Sequence, residues 1–130
     1  MTVREYCIVV TGGRDFADAE HVSATLDIIL EISRARGFNM TLINGLARGA
    51  DSMCRAWAIA RNVTVIDFPA DWENHGRAAG HIRNSDMLDN GKPHVCIAFP
   101  GGRGTANMVK QSQSRGVLVV TSANVRDVYK

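Results

Sequence analysis

Three short stretches of the chain set glycines beside arginine or a small hydroxyl side chain, in spacings suited to holding an anion. The first is Thr11-Gly12-Gly13-Arg14-Asp15-Phe16. The second is Asn44-Gly45-Leu46-Ala47-Arg48-Gly49-Ala50-Asp51, and the third is Phe99-Pro100-Gly101-Gly102-Arg103-Gly104-Thr105-Ala106-Asn107. Glycine lets a backbone turn sharply and approach a ligand closely. A helix that starts directly beyond such a turn leaves its first amides unpaired and presents its positive dipole end, which is the chemistry of phosphate binding. The third stretch carries the densest signal. Its glycines at 101, 102 and 104 cost backbone entropy unless the loop needs them, and such a loop forms a nest of N–H groups to which Thr105 adds a hydroxyl. It matches neither GxGxxG nor GxxxxGK[ST], so the cofactors of those fingerprints do not follow, and no cofactor is expected. The candidate ligand residues are therefore Gly12, Gly13 and Arg14; Gly45, Arg48, Gly49 and Asp51; and Pro100, Gly101, Gly102, Arg103, Gly104 and Thr105.

Other residues have two readings each. Asp51 either caps the helix that follows it or touches the ligand. Trp72, in Asp71-Trp72-Glu73-Asn74-His75-Gly76-Arg77, either stacks on a base or packs its loop onto the core. Arg83, next to Asn84, either grips a phosphate through both guanidinium edges or pairs with Asp86. Arg14, Arg48, Arg77, Arg83 and Arg103 fall in or beside loops near the glycines, although any one of them is also ordinary solvated surface. His75 and His81 have no third ligand in register, so no metal site is expected. No Ser-His-Asp order is legible.

The elements that must position these turns alternate along the chain. Apolar runs at Tyr6–Thr11, Thr41–Asn44, Val63–Phe68, His94–Phe99 and Val117–Thr121 read as strands, several of them near-continuous in Val and Ile. Such runs belong to strands buried on both faces. Helical periodicity covers Asp18–Arg36, Ala50–Arg61 (Met53, Trp57 and Ala60 on one face), Gly76–Leu88 and Thr105–Arg115. The segment FPADWENH reads as an irregular loop. Strand–helix alternation with right-handed crossovers predicts an α/β, Rossmann-like three-layer fold with a five-stranded parallel sheet in the order 3-2-1-4-5. Ligands of such sheets bind beyond the strands' carboxyl ends where the strand order reverses, and this order brings the first and third turns to one crevice.

Composition sets the frame. At 130 residues, with 45% hydrophobic and 22% charged residues, the chain is expected to be one globular domain over residues 1–130. No apolar stretch approaches the ~20 residues needed to cross a bilayer, and MTVREYCIVVTGG reads as a first strand, not a leader. Cys7, Cys54 and Cys96 lack CxxC spacing and read as reduced thiols, pointing to a cytoplasmic protein with no membrane partner. A net charge of +2 and 6% aromatics speak against a nucleic-acid partner, since single-strand binders combine basic grooves with stacking platforms.

Taken together, TGGRDF, NGLARGADSMCRAWA, FPADWENHGRAAGHIRN and FPGGRGT resemble the SLOG superfamily, in particular its YspA/YpsA-related branch, from Val9 to about Val120. The resemblance implies a Rossmann-like sheet, a site for a nucleotide or nucleotide-derived molecule, and self-association into a homo-oligomer. Relatives include the lonely-guy type phosphoribohydrolases and the DNA-processing protein DprA; GLARGAD looks like the DprA turn and PGGRGT like the hydrolases' PGGxGT turn. In the hydrolases the glycine motif continues into two glutamates and an arginine on the preceding helix assists. Arg83 matches that arginine, whereas Asn107 and Met108 stand at the glutamate positions. Stabilising or attacking an oxocarbenium-like centre is carboxylate work, and Asn107 can orient a ribose hydroxyl without acting as a base. The expectation is a binder of a nucleotide or an ADP-ribose- or NAD-derived ligand, a sensor or sequestering protein. Two alternatives stay open: a nucleotide 5′-monophosphate phosphoribohydrolase with Arg83 and Asn107 as its catalytic candidates, and DprA-like single-stranded DNA binding.

Overall fold

Parallel strands covered on both sides need apolar residues at successive positions, and the first strand meets that demand. In a computed structural model, which describes residues 4–130, β1 spans Arg4–Thr11, and its Ile8, Val9 and Val10 are all buried. Met1–Val3, in the N-terminal stretch read as belonging to the strand region and not to a leader, lie outside the described residues. Because side chains alternate across a strand, Ile8 and Val10 enter one core while Val9 enters the other. The remaining strands are β2 (Phe38–Asn44), β3 (Thr64–Asp67), β4 (Val95–Ala98) and β5 (Leu118–Thr121). They pair in parallel in the order β3-β2-β1-β4-β5, the expected α/β topology.

Helix α1 (Ala19–Ala35) and helix α2 (Ala50–Ala60) cover one face. Val22, Leu26, Ile29 and Leu30 of α1 and Cys54, Trp57 and Ala58 of α2 pack there against Ile8, Leu42 and Ile97. The expected α2 face is rotated slightly: Ala60 is exposed, and Ala50 with Ala58 is buried instead. Helix α4 (Ala79–Asp89) and helix α5 (Arg103–Ser114) cover the other face, where Met87, Leu88 and Met108 meet Val9, Ile43 and Cys96. No described helix is long and apolar enough to cross a membrane.

Two short elements escape sequence periodicity. The segment read as an irregular loop contains the helical turn α3 (Trp72–His75), capped by Asp71, whose carboxylate accepts the Asn74 amide at 3.2 Å. Beyond β5 a 3-10 turn, Ser122–Asn124, leads into α6 (Val125–Val128). His21 Nε2 lies 2.8 Å from Ser122 Oγ and Tyr6 Oη 2.5 Å from Tyr129 Oη, and these contacts hold the C-terminal segment to α1 and β1. A single helical turn carries too few positions to show a 3.6-residue period.

Candidate functional site

The three glycine turns interlock along the sheet's C-terminal edge. Pairing of Thr11 with Ala98 sets the turns after β1 and β4 side by side, and the Gly13 amide donates to the Pro100 carbonyl at 2.8 Å. The Ala50 amide donates to the Gly13 carbonyl at 3.1 Å, which binds the α2 turn to the same knot. A Cβ on Gly12 would meet the Ala50 side chain and lie 2.9 Å from Phe99 Cβ. One on Gly101 would meet Thr105 Oγ1 and lie 2.7 Å from the Gly13 nitrogen. These two glycines are needed for packing one turn against another. Gly102 and Gly104 differ: an added Cβ there meets nothing within 4 Å.

Gly102 is the N-cap of α5 and offers no side chain to its amides. The first backbone bond of the helix runs from the Ala106 amide to the Gly102 carbonyl at 3.0 Å. Among the described residues the amides of Gly101 through Thr105 find no acceptor. Thr105 Oγ1 is also buried without a hydrogen-bond partner.

This helix start opens on a cleft of about 700 Å³, within the range of small-molecule sites. Also lining the cleft, Arg14 lies over the Trp72 ring, its Cζ 5.5 Å from the centroid, while Trp72 remains half exposed. Arg77 and Arg103 add two more cations. From α4, Arg83 donates through Nη1 to the Gly45 carbonyl and through Nε to Asn84 Oδ1 at 3.0 Å. Asn84, 4% exposed, donates in turn to Asn107 Oδ1 at 3.1 Å and to the Gly104 carbonyl at 3.4 Å. Arg83 is thereby fixed relative to the start of α5. Burial lowers its pKa; the Asp51 charge opposes this and Arg14 adds to it, but guanidinium stays a cation in proteins.

Asp51 lies deeper, 6% exposed, in the first turn of α2. It does not close its own helix as an N-cap, which is Gly49. Its Oδ2 accepts the Ala47 amide at 3.2 Å. Burial raises its pKa to about 6, against the lowering effects of the Ala47 amide, Arg83 and Arg14.

The cleft brings together the Gly12–Gly13 turn, Arg14, Asp51, Trp72, Arg83, Asn84 and the run Pro100–Thr105. It leaves four candidates outside its lining. Gly45 supports Arg83 from behind through its carbonyl. Arg48 turns to Asp15 at 3.4 Å, both side chains largely exposed. Gly49, at φ 79°, packs beneath the Gly13 carbonyl. Asn107 is drawn into an α4–α5 network, where its Oδ1 also accepts Gln111 Nε2 at 2.8 Å. Arg83 shows no ion pair with Asp86 and sits within α4, not beside a loop. Sequence reasoning missed Asn44, which is fully buried. Its Nδ2 donates to the Asp51 carbonyl at 2.8 Å, and its Oδ1 accepts the Leu46 amide at 2.7 Å, letting Leu46 hold φ 58°. An Asn before Gly at a strand end is the available signal for such a turn.

Known proteins share this architecture. The sequence profile described as "YAcAr: YspA, cpYpsA-related SLOG family" matches residues 6–75. The Gene 61 protein of Mycobacterium phage D29 is 34% identical over 120 residues, covering 87% of this chain and 93% of its own. Among solved structures, a structural-genomics target, TM1055, superposes with a TM-score of 0.66 at 16% identity, covering 88% of this chain and 72% of its own. The Moco carrier protein of Chlamydomonas reinhardtii reaches 0.61 at 19% identity, covering 97% of this chain and 83% of its own. DprA of Streptococcus pneumoniae reaches 0.54 at 12% identity, covering 96% and 62%. At these identities the three structures share the fold alone. The profile match and the phage relative together carry the assignment: the chain belongs to the YspA, cpYpsA-related SLOG family.

Proposed function

We propose that this protein binds a nucleotide or nucleotide-derived ligand, anchoring its phosphate on the amides that open α5. The observation that carries the reading is the set of acceptor-free amides from Gly101 to Thr105, facing a cleft that Arg14 and Arg83 also line. Glycines 102 and 104 meet no protein atom that would require them, which leaves the approach of a guest as their use. Trp72 with Arg14 above it supplies a flat wall for a base. Asn107 is bonded into the α4–α5 network and away from the cleft, which favours binding over glycosidic hydrolysis as the function. A ligand-holding role of this kind suits a sensor or a sequestering protein. The reading extends to a homo-oligomer acting as one domain per chain in a reducing cytoplasm, consistent with three free cysteines, two of them buried.

Titration calorimetry against AMP, ADP-ribose and cyclic nucleotides tests it. The expected outcome is saturable binding to at least one of them, and heats indistinguishable from dilution for every compound would refute the reading. Release of free base from AMP, lost in Arg83→Ala, would move the assignment to a phosphoribohydrolase.

A further inference from the structure

The cleft holds one feature that phosphate binding does not use. Asp51 is 94% buried, given its 6% exposure, and neither Arg14 nor Arg83 comes within ion-pair distance of it. One of its oxygens accepts the Ala47 amide; the other, Oδ1, accepts no hydrogen bond among the described residues. Unlike Thr105 Oγ1, this unpartnered oxygen is not sealed from solvent, and Asp51 lines the cleft, so Oδ1 is open to a donor that enters there. The Ala47 amide restrains the Asp51 carboxyl, and the backbone beneath it is fixed. Its backbone carbonyl is held by the fully buried Asn44 at 2.8 Å, and its neighbour Ala50 is pinned to the Gly13 carbonyl at 3.1 Å.

We infer that Asp51 is a specificity-determining residue whose Oδ1 accepts a hydrogen bond from a neutral donor of the guest, a sugar hydroxyl or an exocyclic amine. This rests on the proposed ligand class and adds a second point of recognition to the phosphate anchor. A buried carboxylate in a cleft that gathers four arginines weakens the hold on a bare anion and rewards one that carries a donor. The anchor at α5 and the acceptor at α2 stand on opposite sides of the β1 turn, so a guest that reaches both must extend beyond its phosphate.

Calorimetric titration tests this with four probes: AMP, its 2′-deoxy and 3′-deoxy analogues, and purine riboside 5′-monophosphate, which lacks the amine. Inorganic pyrophosphate serves as an anion with no such donor. For the wild-type protein, removal of one particular donor should weaken binding tenfold to a hundredfold, the usual worth of a hydrogen bond to a charged group. In Asp51→Asn that preference should shrink to a few-fold, while pyrophosphate binds as well as before or better. The analogues identify the donor as hydroxyl or amine. If each analogue binds wild type like AMP, or if Asp51→Asn changes AMP and pyrophosphate by the same factor, the inference fails while the phosphate anchor stands. If neither pyrophosphate nor any of the nucleotides binds wild type, both readings fall together. The comparison of analogues on wild type holds even if Asp51→Asn folds poorly.

Discussion

Two kinds of glycine stand within a few ångströms of each other here, and they should answer substitution in opposite ways. A side chain on Gly12 drives into Ala50 and Phe99, both buried, so Gly12→Val should lower stability by roughly 1–3 kcal/mol or more, read by chemical denaturation. Gly102→Val enters open space and, losing only glycine's preference at the N-cap, should cost about 1 kcal/mol or less, yet remove ligand binding by covering the α5 amides. Asp51 makes a separate prediction. Its carboxyl is raised from 3.8 to about 6 by burial, opposed by Ala47, Arg83 and Arg14, while the thiol of Cys54 faces it from the next helical turn. The folded state therefore holds this proton where the unfolded chain has released it. Stability relative to Asp51→Asn should be full below pH 4 and fall as pH rises to about 6, by up to about 3 kcal/mol. Asp71 and Asp89 move the opposite way, their carboxyls lowered by hydrogen bonds from Asn74 and Arg115, so the comparison with Asp51→Asn isolates the one group. A curve for Asp51→Asn parallel to wild type between pH 4 and 6 would contradict this.

Helices α4 and α5 act together because Asn84 ties them. It accepts from Arg83 and donates to Asn107 and Gly104, and it is almost wholly buried. Asn84→Ala should cost about 1–3 kcal/mol, as expected when buried hydrogen-bonding partners are stranded. It should also release the Arg83 guanidinium from its fixed place beside the α5 start and weaken anion binding about tenfold; unchanged affinity with lowered stability would confine Asn84 to a structural role. The elements themselves were legible in sequence where they were long. Near-continuous Val and Ile in β1 and the repeat of Val22, Leu26 and Ile29 in α1 arise directly from burial on two faces and on one. Helices α3 and α6 were not, because each spans only four residues and is held by a cap or by tertiary contacts.

Viewed as a whole, the protein carries a net charge of only +2, while its cleft gathers Arg14, Arg77, Arg83 and Arg103 against Asp15 and Asp51. That imbalance predicts anion affinity that falls severalfold between about 0.05 and 0.5 M salt, since exposed charges are screened over a few ångströms at the higher strength. Strand order was readable from alternation and handedness, and with it the place where the Gly12 and Gly101 turns meet. What escaped were the properties of residues brought close by folding: that Gly12 is reserved for Phe99, that Asn107 is captured by Asn84 and Gln111, and that Asn44 anchors the α2 turn. Phe99 lies far from Gly12 in sequence, and Asn84 lies 23 residues from Asn107, beyond the reach of local pattern; the Asn107–Gln111 pair at i,i+4 and the Asn-Gly step at Asn44 leave only a weak local trace. The central claim, that open amides at the start of α5 receive an anion, is tested most directly by amide NMR of the ¹⁵N-labelled protein titrated with pyrophosphate. The account predicts saturable shifts concentrated at Gly101, Gly102, Arg103, Gly104 and Thr105. Saturable binding that leaves those five amides unmoved and shifts resonances elsewhere, or no shift at all, would contradict it.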